Sequence, residues 1–439
     1  MAATGENHSM IIVDKELRKL EEQQIPIKVG LVGAGAMAEG LVNLMVNSVP
    51  GMRLAAISNR TVEKAVDCYN KAGIEQVQEA ETCSAIEEAV ADNRRVVTSD
   101  FNLLCEADGI DVVIDLTGAV EFGAGLALKS FDCGKHLVSM NAELDSMLGS
   151  VLQKKAGKAG VVYTLSDGDQ PGVEMNLWRF VKGIGVEPLV CGNIKGLQDE
   201  YRTPTTQAGF AEQWKQNVNM VTSFADGTKI SMEQACVANA TGMQVEMRGM
   251  RGGDFTGHVD ELCQNGRYDV DRLRELGGVV DYVVKARPSP GVFVVGTTSD
   301  PMHQRYLKLY KLGDGPLYSF YAPYHLCYFE LPFSIARTVL FQDAVLQAQR
   351  PMVDVICMAK RDLKAGEALD GLGGYTHYGQ CENYPVVRSE GLLLQGLAEG
   401  CVLVRDIPKD AAIKLDDVVL PDERLSDRLR KEQDQLFPV

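Results

Sequence analysis

The chain has 439 residues, 45% hydrophobic and 24% charged, with a formal net charge of −16. That length suits about two or three domains with buried cores. So acidic a surface repels phosphate backbones and anionic bilayers, which argues against nucleic-acid and membrane partners and leaves a small-molecule substrate. No apolar run reaches the roughly 18 residues that would suggest a membrane span. The 11 cysteines form no CxxC pair and no zinc-spaced Cys/His cluster. They read as reduced thiols of a cytoplasmic protein.

Met1–Met10 is small and polar and reads as a leader, with Met10 as an alternative start. Val13–Gln24 is charged and helix-favouring; Pro26 ends it. Ile27–Val32 is short and β-branched, the pattern of a buried parallel strand, and Met37–Asn47 is an amphipathic helix. The alternation then repeats. Strands are predicted at Leu54–Ser58, Val112–Leu116, His136–Met140 and Val161–Leu165. Helices are predicted at Val62–Ala72, Leu126–Cys133 and Ala142–Gly157. This is the signature of a Rossmann-type, doubly wound α/β domain. It is assigned to residues 25–172, behind a leader and helix at 1–24.

Residues 173–350 change character and predict an α+β substrate and oligomerisation domain, making a homo-oligomer the expected assembly. Ser231–Gly242 reads as helix; Val292–Thr297 and Tyr306–Lys311 read as strands. Residues 351–439 predict a small β-rich domain with a tail helix at Leu425–Gln435. Two of its segments, Ala359–Asp370 and Val404–Val418, share one pattern: basic, Asp, apolar, polar turn, apolar, acidic.

The most specific motif is Gly33-Ala34-Gly35-Ala36-Met37-Ala38, between the first strand and its helix. Gly33 permits a tight turn, Gly35 admits a pyrophosphate, and Ala38 allows close helix–strand packing. The backbone N–H groups at Ala36 and Met37 would face the phosphates at the positive end of the helix. At the end of the second strand an NAD site usually has a carboxylate for the ribose 2′-hydroxyl. Here Ser58-Asn59-Arg60-Thr61 stands instead, and Arg60 could pair with a 2′-phosphate. The expected cofactor is therefore NADP(H). Thr117-Gly118 and Asn141 end later strands and would also line this edge.

Several strings carry a resemblance to a family. The first 170 residues resemble a homoserine dehydrogenase nucleotide-binding domain. Val162–Gly172 (VYTLSDGDQPG), Gly192–Thr206 (GNIKGLQDEYRTPTT), Met220–Lys229 (MVTSFADGTK) and Pro323–Glu330 (PYHLCYFE) resemble the deoxyxylulose-phosphate reductoisomerase-like proteins. The C-terminal repeats resemble a SAF domain. The resemblance implies an NADPH-dependent oxidoreductase acting on a small sugar-like carbonyl, with homoserine dehydrogenase or a secondary-metabolite dehydrogenase as alternatives. A non-catalytic NADP(H)-binding regulator is the alternative from another class. The family string Tyr-Arg-Pro-Tyr-His is broken at Ala322, which puts a phosphorylated substrate in doubt.

Lys195, between a strand and Gly196, could polarise or protonate a carbonyl oxygen. Lys229 and Glu233 share a helix face at i, i+4. Asp167 and Asp169 follow a strand where substrate should meet the nicotinamide, although Asp-Gly-Asp is also a good turn. A reductoisomerase would need a divalent ion, Mg or Mn, and Asp167, Asp169 and Glu233 are the best hard-oxygen set for it. The resemblance adds His325 as a catalytic candidate. Arg202 and Lys215 are candidate anion clamps; Tyr375 and His377 have no assigned role.

Overall fold

The computed structural model describes residues 13–439; the leader expected at residues 1–10 lies outside them. Helix α1 (Asp14–Gln23) leads into the nucleotide-type unit. Its elements run β1 (Ile27–Val32), α2 (Ala36–Asn47), β2 (Met52–Ser58), α3 (Val62–Lys71), β3 (Val77–Glu79), α4 (Cys83–Ala91), β4 (Arg95–Thr98), α5 (Phe101–Glu106), β5 (Val112–Asp115), α6 (Val120–Asp132), β6 (His136–Ser139), α7 (Ala142–Ala159) and β7 (Tyr163–Leu165). The strands form one parallel sheet in the order β3-β4-β2-β1-β5-β6-β7. Apart from the short edge strand β3, its strands are largely buried on both faces, as a parallel sheet covered by helices requires. The chain order reverses at β1, so a crevice opens there at the carboxyl ends of β1 and β5.

A second unit follows with α8 (Gln170–Gly183), β8 (Glu187–Lys195), α9 (Pro204–Trp214), α10 (Val218–Ala225), α11 (Thr228–Thr241), α12 (Val270–Glu275), β9 (Val279–Val284), β10 (Gly291–Thr297), α13 (Pro301–Leu309), β11 (Leu317–Ala322) and α14 (Leu331–Phe341). Its mixed sheet runs β11-β10-β8-β9. Alternate side chains feed two cores. Cys191, Val280 and Val294 pack toward α8 and α11, while Val190, Val283 and Phe293 pack toward Val259, Leu262 and Leu273. Helix α14 returns to the first sheet, where Leu331, Ile335 and Ala336 pack with Val29 and Leu31.

The strand expected at Tyr306–Lys311 is not formed; most of it belongs to α13. Asp300 caps that helix, accepting from Met302 N at 2.7 Å, and Pro301 occupies its first turn. The edge strand of the second sheet is β11 instead.

The last segment comprises β12 (Val353–Ala359), β13 (His377–Asn383), α15 (Tyr384–Glu390), β14 (Val402–Leu403), β15 (Val418–Val419) and α16 (Leu425–Leu436). Its two repeats lie antiparallel to each other: Leu363 N donates to Ile407 O at 2.8 Å and Ile407 N returns to Leu363 O at 3.0 Å. The apolar side chains of this segment share one core with α6 and α7 of the first unit. Glu121 caps α16 through Leu425 N and Ser426 N, and Arg430 pairs bidentately with buried Asp354 at 2.6 Å.

Candidate active site

The carboxyl edge of the parallel sheet collects one loop from each of four strands. Gly33 follows β1, Thr117-Gly118 follow β5, Asn141 and Glu143 follow β6, and Asp167–Gln170 follow β7. Gly33 has φ +112°, a conformation that favours glycine, and a Cβ there would stand 3.1 Å from Leu116 O. Gly35 caps α2, and a Cβ there would meet nothing within 4 Å. The approach to Gly35 and to the first N–H groups of α2 at Ala36 and Met37 is thus open. Arg60 is exposed just beyond β2 and has no hydrogen bond or ion pair among the described residues. Beside it, Asn59 Nδ2 donates to Thr61 O at 2.7 Å. The residues present fit a nicotinamide dinucleotide.

The second unit brings its polar groups to the same edge. Lys229, at the start of α11, pairs with Glu143 at 2.8 Å, so α11 is joined to α7 by a buried ion pair. Glu233 lies one turn further along α11, and its Oε2 accepts from Asn193 Nδ2 at 3.4 Å. Asn193 Nδ2 also donates to Gln170 Oε1 at 2.5 Å, and Gln170 Nε2 meets His325 Nε2 at 3.3 Å. Gln170 donates there, which leaves His325 Nε2 as an acceptor and the ring proton on Nδ1. Lys195 ends β8, half-buried, and its ammonium has no partner among the described residues.

The Pro323–Glu330 string closes the arrangement. Cys327 N donates to Gly168 O at 2.7 Å, and the Tyr328 ring lies where a side chain on Gly40 of α2 would be, 2.3 Å from such a Cβ. One short string therefore links α2 with the Asp167–Gln170 turn.

Burial sets the electrostatics. It pushes the Glu233 carboxyl up, with help from the Asp169 charge and against Lys195 and Lys229, to about 8. Burial pulls the Lys195 ammonium down, against the attraction of Glu233 and with the repulsion of Lys229. Lys229 is different: burial opposes its charge, but Glu143, Asp169 and Glu233 together hold it above its ordinary value. Burial lowers His325 although Asp169 lies near. The cluster thus contains a fixed cation, a carboxyl held neutral at neutral pH, and an amine whose charge burial disfavours.

Some expected residues stand elsewhere or do other work. Asp167 faces Arg337 at 3.2 Å and is held by Asn176 and Ser334. Its carboxylate is spent on that pair, so Asp167, Asp169 and Glu233 are not gathered as metal ligands. Among the described residues no group of three His, Cys, Asp or Glu side chains converges on an ion site. The metal expectation does not fit the residues present. Asn141 is fully buried; it donates to Asp115 at 3.1 Å and Ala119 O at 3.0 Å and caps α7 at Leu144 N. It shapes the edge from beneath. Thr117 is tied to Asp115 at 2.6 Å, and Gly118 turns with φ +65°. Arg202 is engaged by Asp199 at 3.0 Å, and Lys215 lies in the left-handed turn after α9. Tyr375 meets Thr205 at 2.9 Å; His377 is buried between Thr376 and Gln395. Glu143, Gln170, Asn193 and Lys360 were not named by sequence reasoning. Of these, only Glu143 carried a local signal, an acidic residue in the first turn after a strand.

The class follows from the chemistry-bearing segment. Residues 168–331 match the family described as oxidoreductase DRL, catalytic domain. They hold Asp169, Lys195, Lys229, Glu233 and His325, behind a Rossmann-type sheet, and the class is that of NAD(P)-dependent oxidoreductases.

Particular relatives are more distant. A homoserine dehydrogenase from Pseudomonas aeruginosa is 27% identical over 138 residues, 31% of this chain and 28% of that protein. The chain thus spans little more than a quarter of that curated relative. Among solved structures, a probable dehydrogenase from Thermotoga maritima aligns at 14% identity and TM-score 0.38, covering 72% of this chain and 90% of that one. The scyllo-inositol dehydrogenase from Lactobacillus casei, with bound NAD(H) and scyllo-inositol, aligns at 14% identity and TM-score 0.35, covering 62% and 74%.

Proposed function

We propose that the protein transfers hydride between NADP(H) and a small polyhydroxylated, sugar-like carbonyl compound. The observation that carries this reading is Lys195: a half-buried amine with no partner among the described residues, within the fields of Glu233 and Asp169, at the edge where the dinucleotide turn also opens. The preference for NADP(H) rests on Arg60, which faces no competing carboxylate in Ser58–Thr61.

The nicotinamide, when bound, supplies or accepts the hydride at the substrate carbon. Lys195 gives a proton to the carbonyl oxygen as its charge grows; an amine lowered toward working pH is the more efficient acid. Glu233, neutral at neutral pH, and Asp169, with an oxygen left beyond its cap to Gln170 N, orient substrate hydroxyls. Lys229 is held by Glu143 and keeps Glu233 in place. Gln170 and Asn193 connect Glu233 to His325, whose Nε2 is already engaged, so His325 orients the closing string and does not donate the proton. The Asp167–Arg337 pair clamps the turn that presents Asp169.

A reductoisomerase form of this reading needs a group to hold vicinal oxygens and a phosphate anchor. Ala322 replaces the arginine that the resemblance leads one to expect, and Asp167 is committed to Arg337. The substrate class therefore stays at a sugar-like carbonyl. The match to a homoserine dehydrogenase supports, as a second reading, oxidation of that hydroxy amino acid.

The test is NADPH oxidation with a panel of aldoses, ketoses and 1-deoxy-D-xylulose 5-phosphate, with and without magnesium, beside NADP⁺ reduction by homoserine. Turnover of a polyhydroxylated carbonyl, lost by about 10²-fold or more in Lys195→Met, is the expected result. Turnover of homoserine alone would favour the second reading. Tight NADPH binding with no turnover of any member would favour a regulatory binding protein.

A further inference from the structure

We propose that Lys360, carried by the C-terminal segment, is a positioning residue of the active site. It locks the loop that follows Lys195 to the turn that starts the helix bearing Lys229 and Glu233. What the site does rests on the function proposed above; the placement of Lys360 does not.

Lys360 Nζ donates to Asp226 Oδ2 at 2.7 Å, to Arg202 O at 2.7 Å and to Gly374 O at 2.8 Å. These contacts use all three of its N–H groups. Lys360 is 5% exposed and Asp226 is fully buried. The other Asp226 oxygen accepts from Thr228 N at 2.9 Å, the first residue of α11. Arg202 lies on the loop running out of β8, and Asp199 of that loop donates through its backbone to Ala225 O at 2.8 Å, one residue before Asp226. One ammonium thus ties together the exits of β8 and α10 and the 370–376 turn.

Strand β13 supports the same helix. Gly379 N donates to Thr228 Oγ1 at 2.9 Å, and Cys381 Sγ reaches Ser231 O at 3.1 Å. The first turn of α11, which presents Lys229 and precedes Glu233, is therefore seated on the C-terminal segment.

A buried ion pair is weak evidence for stability, because an apolar pair of equal volume often serves as well. Its three directed donors instead fix register between loops. Lys360 also balances the Asp226 charge, which acts on Lys195. The C-terminal segment is in this account part of the active-site framework, beyond any role in assembly.

The test compares Lys360→Met with Arg430→Met, which breaks the buried pair with Asp354 away from the site. Two readouts are taken on the full chain: NADPH affinity by nicotinamide fluorescence, and the pH at which Lys195 is half-modified by acetic anhydride, followed by mass spectrometry. The second needs no substrate, so it stands even if every substrate in the panel fails. Both variants are expected to bind NADPH within about twofold of the parent. Only Lys360→Met should shift the Lys195 half-modification pH, upward by about half a unit or more, because Asp226 is left uncompensated. On a turned-over substrate, the same variant should lose about tenfold in kcat with little change in KM. If Lys360→Met does not fold, Asp226→Asn reads the same link with the opposite sign. An unchanged Lys195 profile in the folded variants, or an equal shift in Arg430→Met, overturns the proposal.

Discussion

Arg60 and Glu233 illustrate how much weight a single side chain carries. Arg60 has no partner among the described residues at the end of β2. On the proposed function, removing it costs a 2′-phosphate its partner and leaves the rest of the dinucleotide site intact. Arg60→Ala is expected to weaken NADPH by about tenfold while NADH changes less than about twofold, measured by fluorescence titration. Glu233 gives a pH dependence. Its folded carboxyl sits at about 8, above its ordinary value, facing Asp169, Lys195, Lys229, Glu143 and Asn193. A carboxyl raised by folding favours the folded state fully at pH below its unfolded value. That contribution is lost as pH rises through the folded one. Glu233→Gln should therefore melt higher relative to the parent at about pH 9 than at about pH 6. An equal difference at both would show that the group is not perturbed. Among the candidate-site residues, Gly33, Gly35, Lys195, Lys229 and Glu233 were named from the sequence because each sits in a string with local meaning. Gln170, Asn193 and Lys360 were not, and Glu143 had only its place in the first turn of a helix to mark it. Each acquires its role from a partner on an element far along the chain, and nothing beside it announces that partner.

At the scale of elements, the strands of the parallel sheet were legible wherever burial made them β-branched runs. The stretch from β3 to α5 was not assigned, since β3 has three residues, Val77–Glu79, none of them buried, and its neighbours are short. Helix α13 was misread because aromatic and aliphatic residues at Tyr306–Leu309 suit a strand, while the Asp300-Pro301 start that decides the matter lies outside that window. The packing of the 323–330 string on α2 had no sequence signal beyond the family resemblance. It makes a sharp expectation. Gly40→Ala puts a methyl group into the Tyr328 ring and should destabilise the protein by about 1–3 kcal/mol. Tyr328→Ala in the same chain should recover part of that loss, as read by denaturant unfolding; strictly additive effects would show that the two residues do not share the space.

For the whole molecule, the boundary expected at residue 351 does not divide the core. One apolar cluster runs from Val32 and Val113 through Leu144 and Leu148 to Ile356, Leu394 and Leu429. With Gln433 of α16 bonded to Met147 O and Val151 N of α7, and Glu121 of α6 capping α16, the first unit and the C-terminal segment are expected to unfold together. Calorimetry should show one transition for them, lowered as a unit by Arg430→Met; a separate early transition assigned to residues 351–439 would contradict this. The composition of the last segment was legible, but not its seating, because helix α7 and strand β12 meet across some two hundred residues of chain.

On the proposed function, the dinucleotide turn and Lys195 serve one reaction centre. A crystal structure of the complex with NADP⁺ tests it most directly. The nicotinamide C4 is expected to lie within about 5 Å of the space between Lys195 Nζ and Asp169, with the 2′-phosphate against Arg60. A ring directed away from that space, or a Lys195 ammonium more than about 10 Å from C4, would contradict it.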